Sequence, residues 1–193
     1  MERARPPDEP HQSVVVNLYG GPGTGKSTTA ALLFATLKQR GVNCELATEY
    51  AKDVVWEGRD YLLSDQIYLF AKQNRKLARL YGKVDVIVTD SPLLFCYFYS
   101  KSEHLLALIQ QEMKRARQLH VVLRRIKPYM AAGRYQNEEE ARRIDGGLRR
   151  MLDTLGIPYH EVDAEPSSID EIVSLIPAEA SFASPPEGGL PVQ

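Results

Sequence analysis

The chain has 193 residues, 44% of them hydrophobic, and 24 Lys and Arg against 25 Asp and Glu give a net charge of −1. That length suits one globular domain with a sizeable core, and the charge excludes a globally basic protein built to coat nucleic acid or an anionic membrane. No apolar run approaches the roughly 20 residues of a membrane helix, the start MERARPPDEPHQ lacks the apolar centre of a signal peptide, and the two cysteines, Cys44 and Cys96, match no metal-ligand spacing and read as buried reduced thiols in a cytoplasmic protein.

Residues 1–12 are polar and hold three prolines, and residues 178–193 read AEASFASPPEGGLPVQ, so both ends are expected to be disordered around a single α/β domain over 13–177. The domain opens on Val14 to Tyr19, an apolar run that predicts a buried strand. It breaks into Gly20, Gly21, Pro22, Gly23, Thr24, Gly25, Lys26, Ser27 and Thr28, which satisfies the phosphate-binding pattern G-x-x-x-x-G-K-[ST] with a further glycine. Glycines let the backbone curl through positive φ, so the N–H groups from Gly21 to Lys26 are expected to face phosphate oxygens. Lys26 then reaches the β- and γ-phosphates of ATP, Ser27 offers a hydroxyl to Mg²⁺, and the following helix turns its positive end to the anion.

Ala30, Leu33, Phe34 and Leu37 recur at helical spacing, with Gly41 as the stop. Asn43 to Thr48 predicts a second strand, which delivers Glu49, Tyr50, Lys52 and Asp53 to the sheet edge where open α/β sheets bind ligands. Trp56 follows in a mixed stretch, and either covers the core edge or stacks on a substrate. Ser64 is placed as the cap of a long helix with Ile67, Phe70, Ala71, Leu77 and Leu80 as its buried stripe, and Gln66, Gln73, Asn74 and Arg75 as polar residues toward an acceptor pocket.

Val84 to Asp90 predicts a third strand closed by an aspartate, the position at which a carboxylate beside a phosphate cradle holds the magnesium shell, while Ser91-Pro92 also allows Asp90 to cap a helix. Leu93 to Gln118 predicts one or two helices broken near Ser100 to Ser102, and His120 to Leu123 a fourth strand. A lid is expected over about 124–143, with Arg125 at its start, Arg134 near its tip, and Arg142 and Arg143 on a helix opening at Asn137. Residues 114–150 hold eleven Lys and Arg against four Asp and Glu, a local net of +7 that suits an anion-facing segment. Tyr159 to Val162 predicts a fifth strand, and Ser167 the cap of a closing helix.

Four separated motifs, GGPGTGKST, ATEYAKD, VDVIVTDSPL and RRIKPYMAAGR with EEEARRID, together resemble the small P-loop kinases encoded by bacteriophages over roughly residues 13–176. Within that group the chain is similar to kinases that phosphorylate hydroxymethyluracil in phage DNA, on the way to hypermodified thymidine. The resemblance implies a five-stranded parallel sheet in the order 2-3-1-4-5, an acceptor near Glu49, a host-cell cytoplasmic location, and ATP and Mg²⁺ as cofactors.

The expected chemistry is transfer of the ATP γ-phosphoryl group, with Ser27 and Asp90 setting the metal. Lys26, Arg134, Arg142 and Arg125 are the expected cations on the transferring charge. Glu49 is the candidate base and Asp90 its rival. Two other functions stand beside it: a deoxynucleoside monophosphate kinase acting on free nucleotides, and an NTP-dependent switch or binding module. Oligomeric state is open at this stage.

Overall fold

The structure is a computed structural model that describes residues 12–126 and 138–177. The expected disorder of both ends and the tip of the lid with Arg134 lie outside the described residues. Five parallel strands, β1 (Val14–Tyr19), β2 (Cys44–Ala47), β3 (Val86–Thr89), β4 (Arg117–Arg124) and β5 (His160–Asp163), form one sheet in the order β2-β3-β1-β4-β5, as expected. β1 lies at the centre, with Val16 opposite both Val88 and Leu119.

Alternation along the strands divides the core in two. Val14, Val16 and Leu18 face α1 (Lys26–Gln39) and α7 (Ile169–Leu175), whereas Val15 and Tyr19 face the side packed by α3 (Gln66–Ala78), α4 (Leu94–Ser100), α5 (Glu103–Met113) and α6 (Glu138–Thr154). Both faces of β1 are therefore dry, which is why it reads as a continuous apolar run. The short α2 (Tyr50–Trp56) leaves the carboxyl end of β2 and stands beside the cradle.

Several local expectations are corrected. Asp65, not Ser64, caps α3, accepting from the Tyr68 N–H at 2.9 Å. Ser64 ends a 3₁₀ turn and donates to Tyr61 O. The buried stripe of α3 is Leu69, Phe70, Gln73 and Leu77, while Ile67 is 69% exposed and Ala71 is also outside the core. Trp56 is 88% exposed, so it covers no core edge. Ser167 lies inside a 3₁₀ turn, Pro166–Ser168, that precedes α7.

Within α6, Gly146-Gly147 interrupts an otherwise good helix former, at a cost of about 1 kcal/mol per glycine relative to alanine. At Gly147 the reason is contact: a Cβ there would sit 3.0 Å from the Phe98 ring. The missing side chain lets α6 close on α4. Cys44 and Cys96 are buried free thiols, pushed up by burial to about 11 and about 12. Among the described residues no helix is long and apolar enough to cross a membrane.

Candidate active site

β1 stops at Gly20, whose φ of 155° lies where side chains are disfavoured, and a Cβ there would meet Thr24 at 2.8 Å. Gly23 and Gly25 also have positive φ, so the loop curls back to start α1 at Lys26 with Gly25 as its cap. Thr24 closes the turn, its N–H and its hydroxyl both donating to Gly21 O, at 3.2 and 2.7 Å. Among the described residues none accepts from the N–H groups of Gly23, Gly25, Lys26 or Ser27. Four donors thus converge with the positive end of a 14-residue helix, the physical makings of an anion site.

Gly21 differs from expectation. Its N–H does not face the cradle but donates to Asp145 Oδ1, in the middle of α6. The same carboxylate accepts from the Arg125 guanidinium, Nε at 3.2 Å and Nη2 at 3.1 Å, and lies 3.3 Å from the Thr24 hydroxyl. Arg125 Nη2 further donates to Pro22 O at 2.9 Å and Thr24 Oγ1 at 3.1 Å. Arg125 therefore braces the loop from behind, its side chain 5% exposed, and does not line the cleft. Arg142 is also away from the cleft, paired with Glu138 at 2.8 Å on the exposed face of α6.

On the cleft side, Lys26 Nζ donates to Gly20 O at 2.6 Å and Gly21 O at 3.2 Å and lies 5.6 Å from the Phe95 ring centroid. Burial pushes its ammonium below the usual lysine range, with Glu49, Asp90 and Asp145 opposing the shift. Ser27 Oγ donates to Asp90 Oδ2 at 2.6 Å, and the Glu49 N–H donates to Asp90 Oδ1 at 3.1 Å. Both oxygens of Asp90 are thus engaged and the residue is 2% exposed. Glu49 is the N-cap of α2, in an extended conformation that turns its carboxylate toward the cradle.

Lys52 completes the cluster. Its ammonium donates to Ser27 Oγ, lies 3.3 Å from Asp90 Oδ2 and 3.7 Å from Glu49 Oε2. One cation thus stands among a hydroxyl and two carboxylates, a set of hard oxygen donors that fits Mg²⁺. Among the described residues there is no cluster of three His, Cys, Asp or Glu.

The cradle opens into a cavity of about 580 Å³ lined by Gly20, Lys26, Ser27, Glu49, Tyr50, Gln66, Gln73 and Phe95 among others. Gln73 lines the wall with its amide already committed, accepting from the Tyr50 N–H at 2.9 Å and donating to Thr48 O at 3.4 Å. Asn74 turns away to Glu112 on α5, and Arg75 is exposed. The structure thus brings together Lys26, Ser27, Glu49 and Asp90 and leaves Arg125 and Arg142 outside. Lys52 and Asp145 had no assigned role in the sequence. Lys52 stands just past the second strand beside Glu49, and the Gly146-Gly147 pair next to Asp145 is the sequence signal of close packing there.

A family described as AAA domain matches residues 15–168. Among solved structures, the crystal structure of NadR protein in complex with NR is similar with a TM-score of 0.68 at 19% identity, covering 86% of this chain and 52% of that one. The chain thus spans about half the length of that protein. The crystal structure of APE1195 is 22% identical, covering 85% of this chain and 92% of that one, with a TM-score of 0.47. No curated protein sequence matches. The likeness to NadR shows a shared fold.

Proposed function

The chain belongs to the AAA domain family, and from that premise we propose that it is an ATP-dependent kinase that phosphorylates a hydroxyl group on a nucleotide, with hydroxymethyluracil in DNA as the first candidate acceptor. The observation that carries the kinase reading is the continuity of one cavity of about 580 Å³ from Lys26 and Ser27 to Glu49, Tyr50 and Gln66. A switch that only hydrolyses its nucleotide needs room for water beyond the phosphates. This cavity has the volume of an organic-ligand site and a carboxylate at the junction.

In the proposed step the acceptor oxygen attacks the γ-phosphorus of ATP. The bond from that phosphorus to the bridging oxygen breaks, ADP leaves, and the acceptor proton passes to Glu49. The N–H groups of the loop and Lys26 hold the donor and stabilise charge as it spreads over the equatorial oxygens. Ser27 and Asp90 would hold Mg²⁺, which supplies further neutralisation of the phosphates when bound. Asp90 also fixes Glu49 through its backbone N–H, so the base and the metal ligand are positioned by one side chain.

The acceptor is supported by the resemblance of the four motifs to kinases of hydroxymethyluracil DNA, and by the local +7 of residues 114–150. The test is incubation with γ-labelled ATP and a panel of deoxynucleoside monophosphates, NR, plain DNA and hydroxymethyluracil DNA. Label is expected in hydroxymethyluracil DNA. Label only in free nucleotides would replace the acceptor with a monophosphate, and phosphate release without transfer to any acceptor would replace the kinase with a switch.

A further inference from the structure

A second cavity, about 590 Å³, lies between the end of α4 and α6, outside the cradle. Its wall carries three consecutive aromatic residues, Tyr97, Phe98 and Tyr99, and its rim three cations, Lys101, Arg143 and Arg150. No acidic residue lines it, in a chain whose net charge is −1, so the positive charge here is a local concentration. None of the three cations forms an ion pair with a described residue. Lys101 instead holds its ammonium 4.3 Å from the Phe98 ring centroid.

The fold keeps this surface open at some cost. Lys101 ends α4 in a left-handed conformation, φ 57°, which non-glycine residues rarely adopt and which sets the residue on the rim. Gly147 contributes the floor, and a Cβ in its place would press on Phe98 at 3.0 Å. Phe98 and Tyr99 pack edge to face at 5.1 Å, presenting rings in two orientations. Tyr99 lines both this cavity and the cradle cavity, so the two adjoin.

We propose that this groove binds a single-stranded nucleic acid, its phosphates on Lys101, Arg143 and Arg150 and a base stacked on Phe98 or Tyr99, so that the adjoining nucleotide enters the transfer cleft. Rings that accept any base's π-face beside a track of cations are the recognition chemistry of single strands. A duplex offers its bases only when one leaves the stack, and a groove beside the cleft would hold the strand next to such a base. The proposal rests on the kinase reading with a polynucleotide acceptor, and extends it to how that acceptor is held.

The test is fluorescence anisotropy of the full chain with a labelled thymidine oligonucleotide of roughly 12 residues and an abasic strand of equal length. Wild type is expected to bind the thymidine strand more tightly. Arg143→Glu with Arg150→Glu should weaken it at least about tenfold and lower the salt slope by about 1.4, with affinity for a fluorescent ATP analogue unchanged. Phe98→Leu should weaken the thymidine strand and spare the abasic one. No binding by wild type, equal binding by the charge-reversal variant, or equal binding of the two strands would overturn the groove. Label transfer to free nucleotides with no oligonucleotide binding sinks the groove and leaves the kinase. Oligonucleotide binding that follows the predicted variants, with no transfer to any acceptor, sinks the kinase and leaves the groove.

Discussion

Asp145→Asn is a near-isosteric change at the contact between α6 and the loop. The native carboxylate accepts from Gly21 N–H with Oδ1 and from Arg125 with Oδ2, and the two side chains are 12% and 5% exposed. An amide has one acceptor and one donor end. In one orientation its NH₂ faces the guanidinium, in the other it faces the Gly21 N–H, so one donor meets another either way. Removing a partner outright from a buried ion pair costs about 3–5 kcal/mol. Asn keeps the bonds at one of its two ends, so about 3 kcal/mol is expected, or a fall in Tm of about 6–12 °C for a chain of this size. Thermal melting by circular dichroism at neutral pH reads this, with Asp153→Asn, at an exposed site, as a control expected within about 0.5 kcal/mol. ATP affinity should fall in the same variant, because Gly21 is fixed by Asp145. A Tm within about 2 °C of wild type, with unchanged ATP affinity, would rule out Asp145 as the brace between α6 and the loop.

Lys26→Ala should abolish phosphoryl transfer, because the first contact to the β- and γ-phosphates is lost; transfer near the wild-type rate in the labelled-ATP assay would be incompatible with the cradle reading. Glu49→Gln should lower turnover by about 10²- to 10⁴-fold with ATP affinity unchanged, whereas Asp90→Asn should weaken the Mg²⁺ dependence as well. Turnover retained in Glu49→Gln and lost in Asp90→Asn would exchange their roles. His120 is buried against Tyr19, whose hydroxyl lies 2.9 Å from its Nδ1, and burial pushes its imidazole down to about 4. The unfolded chain, with a histidine near 6.5, therefore binds the extra proton first. The His120 contribution, about 3 kcal/mol, is complete above pH 6.5, declines as pH falls, and is gone below about 4. Urea titrations should show this loss in wild type and a flatter profile in His120→Gln; parallel profiles would disprove it.

The central strand and the cradle are legible because each rests on short-range pattern, whereas the sheet order comes from the family resemblance alone. A strand dry on both faces is a continuous apolar run, and a loop that must bend through Gly20, Gly23 and Gly25 leaves its glycines in the sequence. The stripe of α3 is not, because helical spacing gives a period without choosing among neighbouring faces. Packing against α4 chose Leu69 and Phe70 and left Ile67 in water. Arginine direction is similarly invisible: Arg125 and Arg142 look equivalent in a basic stretch, yet one is locked under the loop by an acid 20 residues further on and the other pairs one helical turn away. Asp145 itself reads as a solvated helix residue until α6 is docked.

In the proposed transfer Glu49 and Asp90 have different work, and their surroundings differ accordingly. Asp90 sits just past the end of β3, a buried interior strand, where every lone pair left unmatched is costly, and its oxygens take the Glu49 N–H, the Ser27 hydroxyl and the Lys52 ammonium. A carboxylate so engaged suits a metal ligand and a positioning group. Glu49 caps a seven-residue helix one layer nearer the cleft, its side chain 24% exposed, with Lys52 at 3.7 Å as its ion-pair partner. In the proposed transfer Ser27 and Asp90 would hold Mg²⁺, while Lys52, 3.3 Å from Asp90 Oδ2 and 3.7 Å from Glu49 Oε2, ties the metal-binding carboxylate to the candidate base.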